Sequence, residues 1–142
     1  MTDVHTKEKR SFNMSRIKGK NTKPEMIVRR MLFSQGFRYR IHQKILKGSP
    51  DIVLSKYRTI VFVHGCFWHG HDNCKQFVLP KTRTDWWYRK IVSNKEKDDI
   101  NIEVLESEGW NVKIVWSCEL TTKKRALTIE NLIKSIRKHL VH

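Results

Sequence analysis

Three cysteines and one histidine are spaced in a way that fixes part of the fold. Cys66, His71 and Cys74 lie within nine residues of one another, and Cys118 follows much later in the chain. Zinc in proteins is held by about four nitrogen and sulfur ligands in a tetrahedron. The short segment supplies three ligands, and Cys118 is inferred as the fourth, which uses every cysteine. The alternative is three unrelated buried thiols. We expect a closed, structural zinc site that ties a loop to the end of a later strand.

The charge of the chain indicates a polyanionic partner. Among 142 residues there are 29 Lys or Arg and 14 Asp or Glu, a formal net charge of +15. Residues 1–50 alone carry 13 of the basic residues and only three acidic ones. A small protein this basic repels itself, and nucleic acid is the usual compensating partner. No apolar run approaches the ~18 residues that cross a bilayer, and the start has no apolar signal region. We therefore expect a cytoplasmic protein without a membrane partner.

The length fits one domain of ordinary size, preceded by a basic segment. Residues 1–20 contain few sizeable apolar side chains, so we predict an N-terminal arm there and a single domain over residues 21–142.

The hydrophobic pattern predicts the order α-β-β-β-α-β-α, a mixed α/β domain with a central sheet flanked by helices. The first helix begins at a capping box in which Glu25 reaches back to the amide of Thr22, and it ends at Gly36. Strands are predicted at 37–42, 52–54, 59–63 and 110–116. A long helix runs from about 84 to 108, with a break near 93–94 left open. Thr128 caps a last helix that extends to Leu140.

A proline-aspartate pair opens the second strand, and Val63 and His64 end the third. A carboxylate at a strand start, beside a neighbouring strand, can hold a hydrated Mg²⁺. With this order of elements, Pro50-Asp51 resembles the restriction-endonuclease-like nuclease fold. The usual acid-x-lysine on the next strand is absent, and Val61-Phe62-Val63 stands there instead. Pro-Asp is also a common turn, which is the alternative interpretation.

Two histidines flank the first zinc cysteine. Histidine can take a proton from water at neutral pH, the role that the missing lysine leaves vacant. His64 and His69 are therefore candidates for catalysis, although single histidines more often pack or face solvent.

Two aromatic pairs, Phe67-Trp68 and Trp86-Trp87, lie in basic surroundings. Rings beside basic residues can wedge between base pairs and unstack them. The alternative is that the rings pack over the zinc loop. Trp110 and Trp116 are the better candidates for the core.

Together these residues resemble the very short patch repair (Vsr) DNA mismatch endonuclease family. The resemblance covers nearly the whole chain, and its most specific block is His64-Gly65-Cys66-Phe67-Trp68-His69. Further matching segments are Asn13-Met14-Ser15-Arg16-Ile17, Gly48-Ser49-Pro50-Asp51, Thr82-Arg83-Thr84, Gly109-Trp110 and Trp116-Ser117-Cys118. Two departures are one extra residue between His71 and Cys74, and Val63 where a hydroxyl residue is familiar.

The resemblance implies a restriction-endonuclease-like (PD-(D/E)XK-type) fold with a structural zinc. It implies an enzyme that nicks one strand of double-stranded DNA 5′ to the thymine of a T:G mismatch. Asp51 and the carbonyl of Val63 would bind Mg²⁺, His69 would be the general base, and His64 and Glu25 would support the phosphate site.

Other implied residues contact DNA. Phe67, Trp68 and Trp87 would enter the base stack from the major groove, and Met14 would oppose them from the minor groove. Lys90 and Asn94 would meet the mismatched bases. Such mismatches arise where 5-methylcytosine deaminates, so a DNA cytosine-5 methyltransferase would be the functional counterpart. Mismatch-repair proteins are further candidate partners, and we expect a monomer.

Two alternatives stay open. One is a zinc-stabilised DNA-binding module that has lost catalysis, against which the intact Asp51, His64 and His69 argue. The other is a related restriction-like nuclease that acts on other DNA. The aromatic wedge residues argue against it.

Overall fold

The computed structural model describes residues 21–140. The predicted arm over residues 1–20, with Met14, lies outside the described residues. Within 21–140 the order is α-β-β-β-α-β-α, and the predicted mixed α/β class is confirmed. The helices are α1 (Lys23–Ser34), α2 (Thr84–Ser107) and α3 (Arg125–Arg137). The strands are β1 (Arg40–Ile41), β2 (Ile52–Leu54), β3 (Thr59–His64) and β4 (Asn111–Trp116).

The four strands form one mixed sheet in the order β1-β2-β3-β4. The β1–β2 and β2–β3 pairs are antiparallel, and β3 and β4 are parallel. Because side chains alternate between the faces of a sheet, the apolar runs of β2 and β3 feed two cores. Ile52, Leu54 and Val61 pack with α1 and α3 on one face. Val53 and Ile60 pack with α2 on the other. None of the helices within residues 21–140 is long and apolar enough to span a bilayer.

The first and fourth strands are shorter than predicted. In β1 only Arg40 and Ile41 pair, with Val53 and Ile52, and the strand ends at Ile41 because β2 begins at Ile52. Phe37 instead closes the end of α1, where its amide donates to the carbonyl of Leu32 at 3.1 Å. Trp110 similarly closes α2 through the carbonyl of Leu105 at 3.1 Å, so β4 begins at Asn111.

The structure settles the two remaining helices. The possible break near 93–94 is absent, since α2 runs unbroken over 24 residues. The predicted start and end of α3 were wrong. α3 begins at Arg125, ahead of Thr128, whose hydroxyl donates to the carbonyl of Glu119 at 2.8 Å instead of capping the helix. It ends at Arg137, which leaves Leu140 outside the helix and partly exposed.

Candidate active site and metal centre

The parallel pairing of β3 and β4 brings the cysteine loop to Cys118. His64 and Trp116, the last residues of the two strands, are in register. Cys66 and Cys118 each lie two residues beyond their strand, so both leave the sheet at the same edge. The ligand atoms of the predicted set, Cys66, His71, Cys74 and Cys118, all lie within 4.8 Å of one another. The sequence-predicted cluster is therefore assembled by the fold.

The spacing of these atoms suits a tetrahedral metal. The Nδ1 atom of His71 lies 3.5 Å from the Sγ atom of Cys66 and 3.4 Å from that of Cys118. Zinc bonds of about 2.3 Å to sulfur and 2.0–2.1 Å to nitrogen would separate such ligands by about 3.5 Å. Burial, together with the nearby Cys66 and Cys74 sulfurs, raises the pKa of the Cys118 thiol to about 12. A bound cation offsets that penalty by stabilising the thiolates.

The loop that carries these ligands depends on two left-handed residues. Asn73, between His71 and Cys74, has φ 56°, a conformation that asparagine tolerates. Gly70 has φ 59°, and a Cβ there would lie 2.6 Å from the Cγ2 atom of Ile91. Only glycine fits this close approach of the loop to α2. The His71 ring is also fixed, because it stacks on Trp116 at 4.0 Å.

The Asp51 side chain accepts a hydrogen bond from β3 just beyond the last β2–β3 backbone pair. Ile52 pairs with Val61, so the same register would place Pro50, which has no N–H, opposite Val63. The Val63 amide instead donates to the Oδ2 atom of Asp51 at 2.8 Å. Burial raises the pKa of Asp51, and the hydrogen bond from the Val63 amide and the nearby basic side chains of His42, His69 and Arg29 oppose that rise. The result is a fixed, desolvated carboxylate that suits a hard divalent cation.

Glu25 lies beside Asp51 in a buried charge network. It is only 3% exposed and contacts both Arg29 and His42, whose Nε2 atom is 2.9 Å from its Oε2 atom. The Thr22 hydroxyl accepts the Glu25 amide at 3.4 Å, as the capping box predicts. The reciprocal prediction was wrong, because the Glu25 carboxylate accepts the amide of Asn21, not that of Thr22.

Arg29 and His42 were missed in the sequence. Two signals could have indicated them: Arg29 is four residues after Glu25 on a predicted helix, and His42 follows β1, whose register with β2 continues to Asp51. The His42 amide indeed faces the Asp51 carbonyl at 3.4 Å. Ligand atoms of Glu25, His42 and Asp51 lie within 4.8 Å of one another.

His69 is oriented by an aspartate from α2. Its Nδ1 atom is 2.6 Å from the Oδ2 atom of Asp98. A carboxylate at Nδ1 keeps the proton there and leaves the lone pair at Nε2, where it can accept a proton. His64 stacks on His69 at 3.8 Å with the rings nearly parallel. Burial and the neighbouring His69 charge lower the pKa of His64 to about 3, so His64 is neutral. Asp98 was missed because nothing in the sequence pairs α2 with this loop.

The aromatic residues form one contiguous group. Phe67 packs against Trp68 at 5.3 Å and against Trp87 at 5.4 Å, and Trp68 and Trp87 are 5.7 Å apart. Trp86 is 45% exposed and meets Trp87 edge-on at 4.9 Å. Phe67, Trp68 and Trp87 are half-buried against each other, while Trp86 faces solvent.

Trp110 and Trp116, which were predicted to lie in the core, are both partly buried. Trp110 packs against the core on the α2 face of the sheet, and Trp116 stands between His71 and His64, with its ring 5.2 Å from that of His64.

A cleft of about 590 Å³ collects most of the predicted site residues. It is lined by Glu25, Asp51, Val63, His64, Phe67, Trp68, His69 and Asn94, with Asp98 among the others. Asn94 donates from Nδ2 to the carbonyl of Trp68 at 2.9 Å, which anchors the loop to α2. Lys90 and Trp87 are not among the lining residues.

A fixed carboxylate and an oriented histidine in one cleft can bind a cation and deprotonate water, the two needs of phosphodiester hydrolysis. Together with the net charge of +15, this chemistry is typical of a nuclease. A family profile described as DNA mismatch endonuclease Vsr matches residues 2–76. The chain belongs to this Vsr family and is a DNA endonuclease.

Several relatives are similar in sequence to this chain over most of its length. The type II nicking enzyme V.NmeAIP of Neisseria meningitidis (strain Z2491) is 52% identical over 137 residues, which is 96% of each chain. The type II nicking enzyme V.XorIIP of Xanthomonas oryzae pv. oryzae is 48% identical over 85% of this chain and 88% of its own. The DNA mismatch endonuclease Vsr of Escherichia coli K12 is 42% identical over 96% of this chain and 86% of its own.

Proposed function

We propose that this protein nicks one strand of duplex DNA 5′ to the thymine of a T:G mismatch, in very short patch repair. The observation that carries the proposal is the placement of Asp51, the Asp98-oriented His69 and the Phe67–Trp68 pair in one cleft. The names of the relatives, mismatch endonuclease and nicking enzyme, support it. On this proposal the sheet is that of the restriction-endonuclease-like fold.

Each cleft residue has a defined part in the chemistry. Asp51 and the Val63 carbonyl would hold Mg²⁺, with Glu25 as a second carboxylate at the phosphate site. When bound, the cation supplies Lewis-acid stabilisation of phosphate charge. His69 accepts a proton from the attacking water at Nε2, while Asp98 holds the ring in the required tautomer. The neutral His64 ring covers one face of His69 and limits its movement.

Mismatch selectivity would come from the aromatic residues. A T:G pair is weakly held, so separating it from its neighbour costs less than separating a matched pair. Phe67, Trp68 and Trp87 would enter the stack from the major groove, and Met14 of the arm over residues 1–20 from the minor groove. Lys90 and Asn94 would contact the mismatched bases.

Zinc at the cysteine cluster would be structural, because all four positions of the tetrahedron are filled by protein. A DNA cytosine-5 methyltransferase would create the sites at which such mismatches arise, and mismatch-repair proteins are proposed partners. We propose that the enzyme acts as a monomer, in the cytoplasm where its DNA lies.

A second candidate function is nicking at a fixed sequence without a mismatch. Two relatives are named type II nicking enzymes, which favours it. A DNA-binding module without catalysis is a weaker alternative, because His69 and Asp98 are already hydrogen-bonded for proton transfer.

The deciding experiment offers end-labelled duplexes that are identical except for one T:G, A:T or G:C pair. Each is tested in several sequence contexts, with and without Mg²⁺, and the nick is mapped on both strands. We expect a single nick 5′ to the mismatched thymine that requires Mg²⁺. Equal nicking of matched and mismatched duplexes would favour the second candidate. Mismatch binding without any nick would favour the inactive module.

We predict that Asp98→Asn lowers the single-turnover nicking rate by at least ~10²-fold. The introduced amide can donate to Nδ1 of His69 and so favour the tautomer that carries its proton on Nε2, where no proton can then be accepted. General base catalysis typically contributes ~10²–10⁴-fold to the rate. His69→Ala should lose at least as much. The neighbouring exposed Asp99, which does not line the cleft, provides the matched control Asp99→Asn. If Asp98→Asn and Asp99→Asn nick equally fast, Asp98 does not orient the base.

We predict that Trp68→Ala loses discrimination as well as rate. Removing a wedge ring should lower the T:G preference in binding by roughly tenfold, since base–aromatic stacking is worth about 1–3 kcal/mol. Competition binding with T:G and matched duplexes measures this preference. Phe33→Ala, which removes an exposed ring of α1 outside the cleft, is the control. An unchanged preference in Trp68→Ala would assign that ring to packing alone.

A further inference from the structure

The cleft has an imbalance of charge. Three carboxylates line it, those of Glu25, Asp51 and Asp98, and of these Glu25 is already paired with Arg29 and Asp98 with His69. Among the lining residues of the described chain, Lys97 is the single lysine or arginine. A DNA phosphate that enters this cleft brings a further negative charge, so the placement of the one ammonium group matters for both binding and reaction.

Lys97 lies on a stripe of α2 that is held against the site at several points. Asn94, Lys97, Asp98 and Asn101 follow at helical spacing and all line the cleft. Asn94 binds the carbonyl of Trp68, and Asp98 binds His69. Asn101 lies against Gly48, where an added Cβ would be 2.9 Å from its Nδ2 atom. The backbone of Lys97 is therefore fixed relative to both the histidine loop and the loop that precedes Asp51.

The ammonium group of Lys97 is not used by the protein itself. Lys97 is exposed, and within residues 21–140 its side chain makes no hydrogen bond or ion pair. Lys95, two residues earlier on α2, instead pairs with Asp72 at 2.8 Å. A lysine that lines an acidic cleft and pairs with none of its carboxylates is available to an anionic ligand.

We propose that Lys97 binds a phosphate of the nicked strand and supplies the positive charge, not the proton transfer, that a lysine on β3 would have provided. This inference rests on the proposed nicking activity. The strand position has Val61, Phe62 and Val63, so no ammonium can come from there. The four-carbon side chain of Lys97 can instead deliver a positive charge into the cleft from α2. Its role is electrostatic: Lys97 stabilises negative charge on the phosphate oxygens, exchanges no proton and forms no covalent bond.

The test compares Lys97→Met, Lys97→Arg and a charge-matched control, Lys134→Met. Lys134 is exposed on α3, pairs with Glu130 and does not line the cleft. We expect Lys97→Met to lower the single-turnover nicking rate by ~10²-fold. Lys97→Arg should retain the rate within ~fivefold, and Lys134→Met should match the unaltered protein. Zinc content and melting temperature of each variant show whether the fold is intact.

A second measurement does not depend on nicking. Binding to a T:G duplex without Mg²⁺ is followed over a range of salt concentrations, and loss of one phosphate contact should reduce the log–log slope by about 0.9. A rate and slope in Lys97→Met equal to those of Lys134→Met would overturn the inference. So would a rate loss with an unchanged slope. If the unaltered protein nicks no duplex, the proposed function fails, while the salt slope still decides whether Lys97 contacts phosphate.

Discussion

Asp51→Asn is expected to abolish nicking while leaving mismatch binding nearly intact. The substitution preserves size, and its amide oxygen can still accept the Val63 N–H that Asp51 accepts at 2.8 Å. It removes the charge that would hold Mg²⁺. Lewis-acid stabilisation is worth several kcal/mol, and each 1.36 kcal/mol is tenfold in rate. We therefore expect a loss of at least ~10³-fold in the single-turnover rate, measured on a T:G duplex at saturating Mg²⁺.

Binding separates this effect from a general loss of structure. The aromatic group and the basic residues are untouched, so the affinity for T:G duplex without Mg²⁺ should change by less than about threefold. Asp99→Asn, which removes the same charge from an exposed position, controls for net charge. Nicking by Asp51→Asn at the rate of the Asp99→Asn control would show that the metal site lies elsewhere.

Cys118→Ser and His71→Asn are expected to lose zinc and much of the stability of the fold. Binding energy at a structural zinc site, about 10–16 kcal/mol in small domains, is also folding energy. Even a quarter of it is a large share of the 5–15 kcal/mol that stabilises a typical domain. We expect less than half an equivalent of zinc per chain by elemental analysis, and a melting temperature lower by ~10 °C or more.

His139→Asn provides the matched control for the histidine substitution, because His139 is exposed and outside the cluster. It should retain one zinc per chain. A chelator should reproduce the destabilisation in the unaltered protein, and added zinc should reverse it. Full zinc retention and an unchanged melting temperature in Cys118→Ser would remove Cys118 from the ligand set.

The order of helices and strands and the grouping of the cysteines follow from the sequence. The strands 52–54 and 59–63 are apolar runs bounded by turn residues, which makes them recognisable locally. Cys66, His71 and Cys74 are adjacent in the chain, so their convergence needs only a loop. The parallel strands that end at His64 and Trp116 then bring Cys118 to them. The ends of the elements were less predictable. The pairing with β2 decides where β1 stops, and the Thr128 hydroxyl donates to the carbonyl of Glu119 instead of capping α3.

What only the tertiary structure decided is how the site residues act on each other. Asp98 lies 29 residues from His69, and its contact depends on the packing of α2 over the histidine loop. His42 lies 17 residues from Glu25 and meets it only through the turn from α1 into β1. Local patterns specify which residue types are available. Long-range packing decides which carboxylate orients a histidine and which carboxylate is neutralised by an arginine. It also decides which lysine remains unpaired at the cleft.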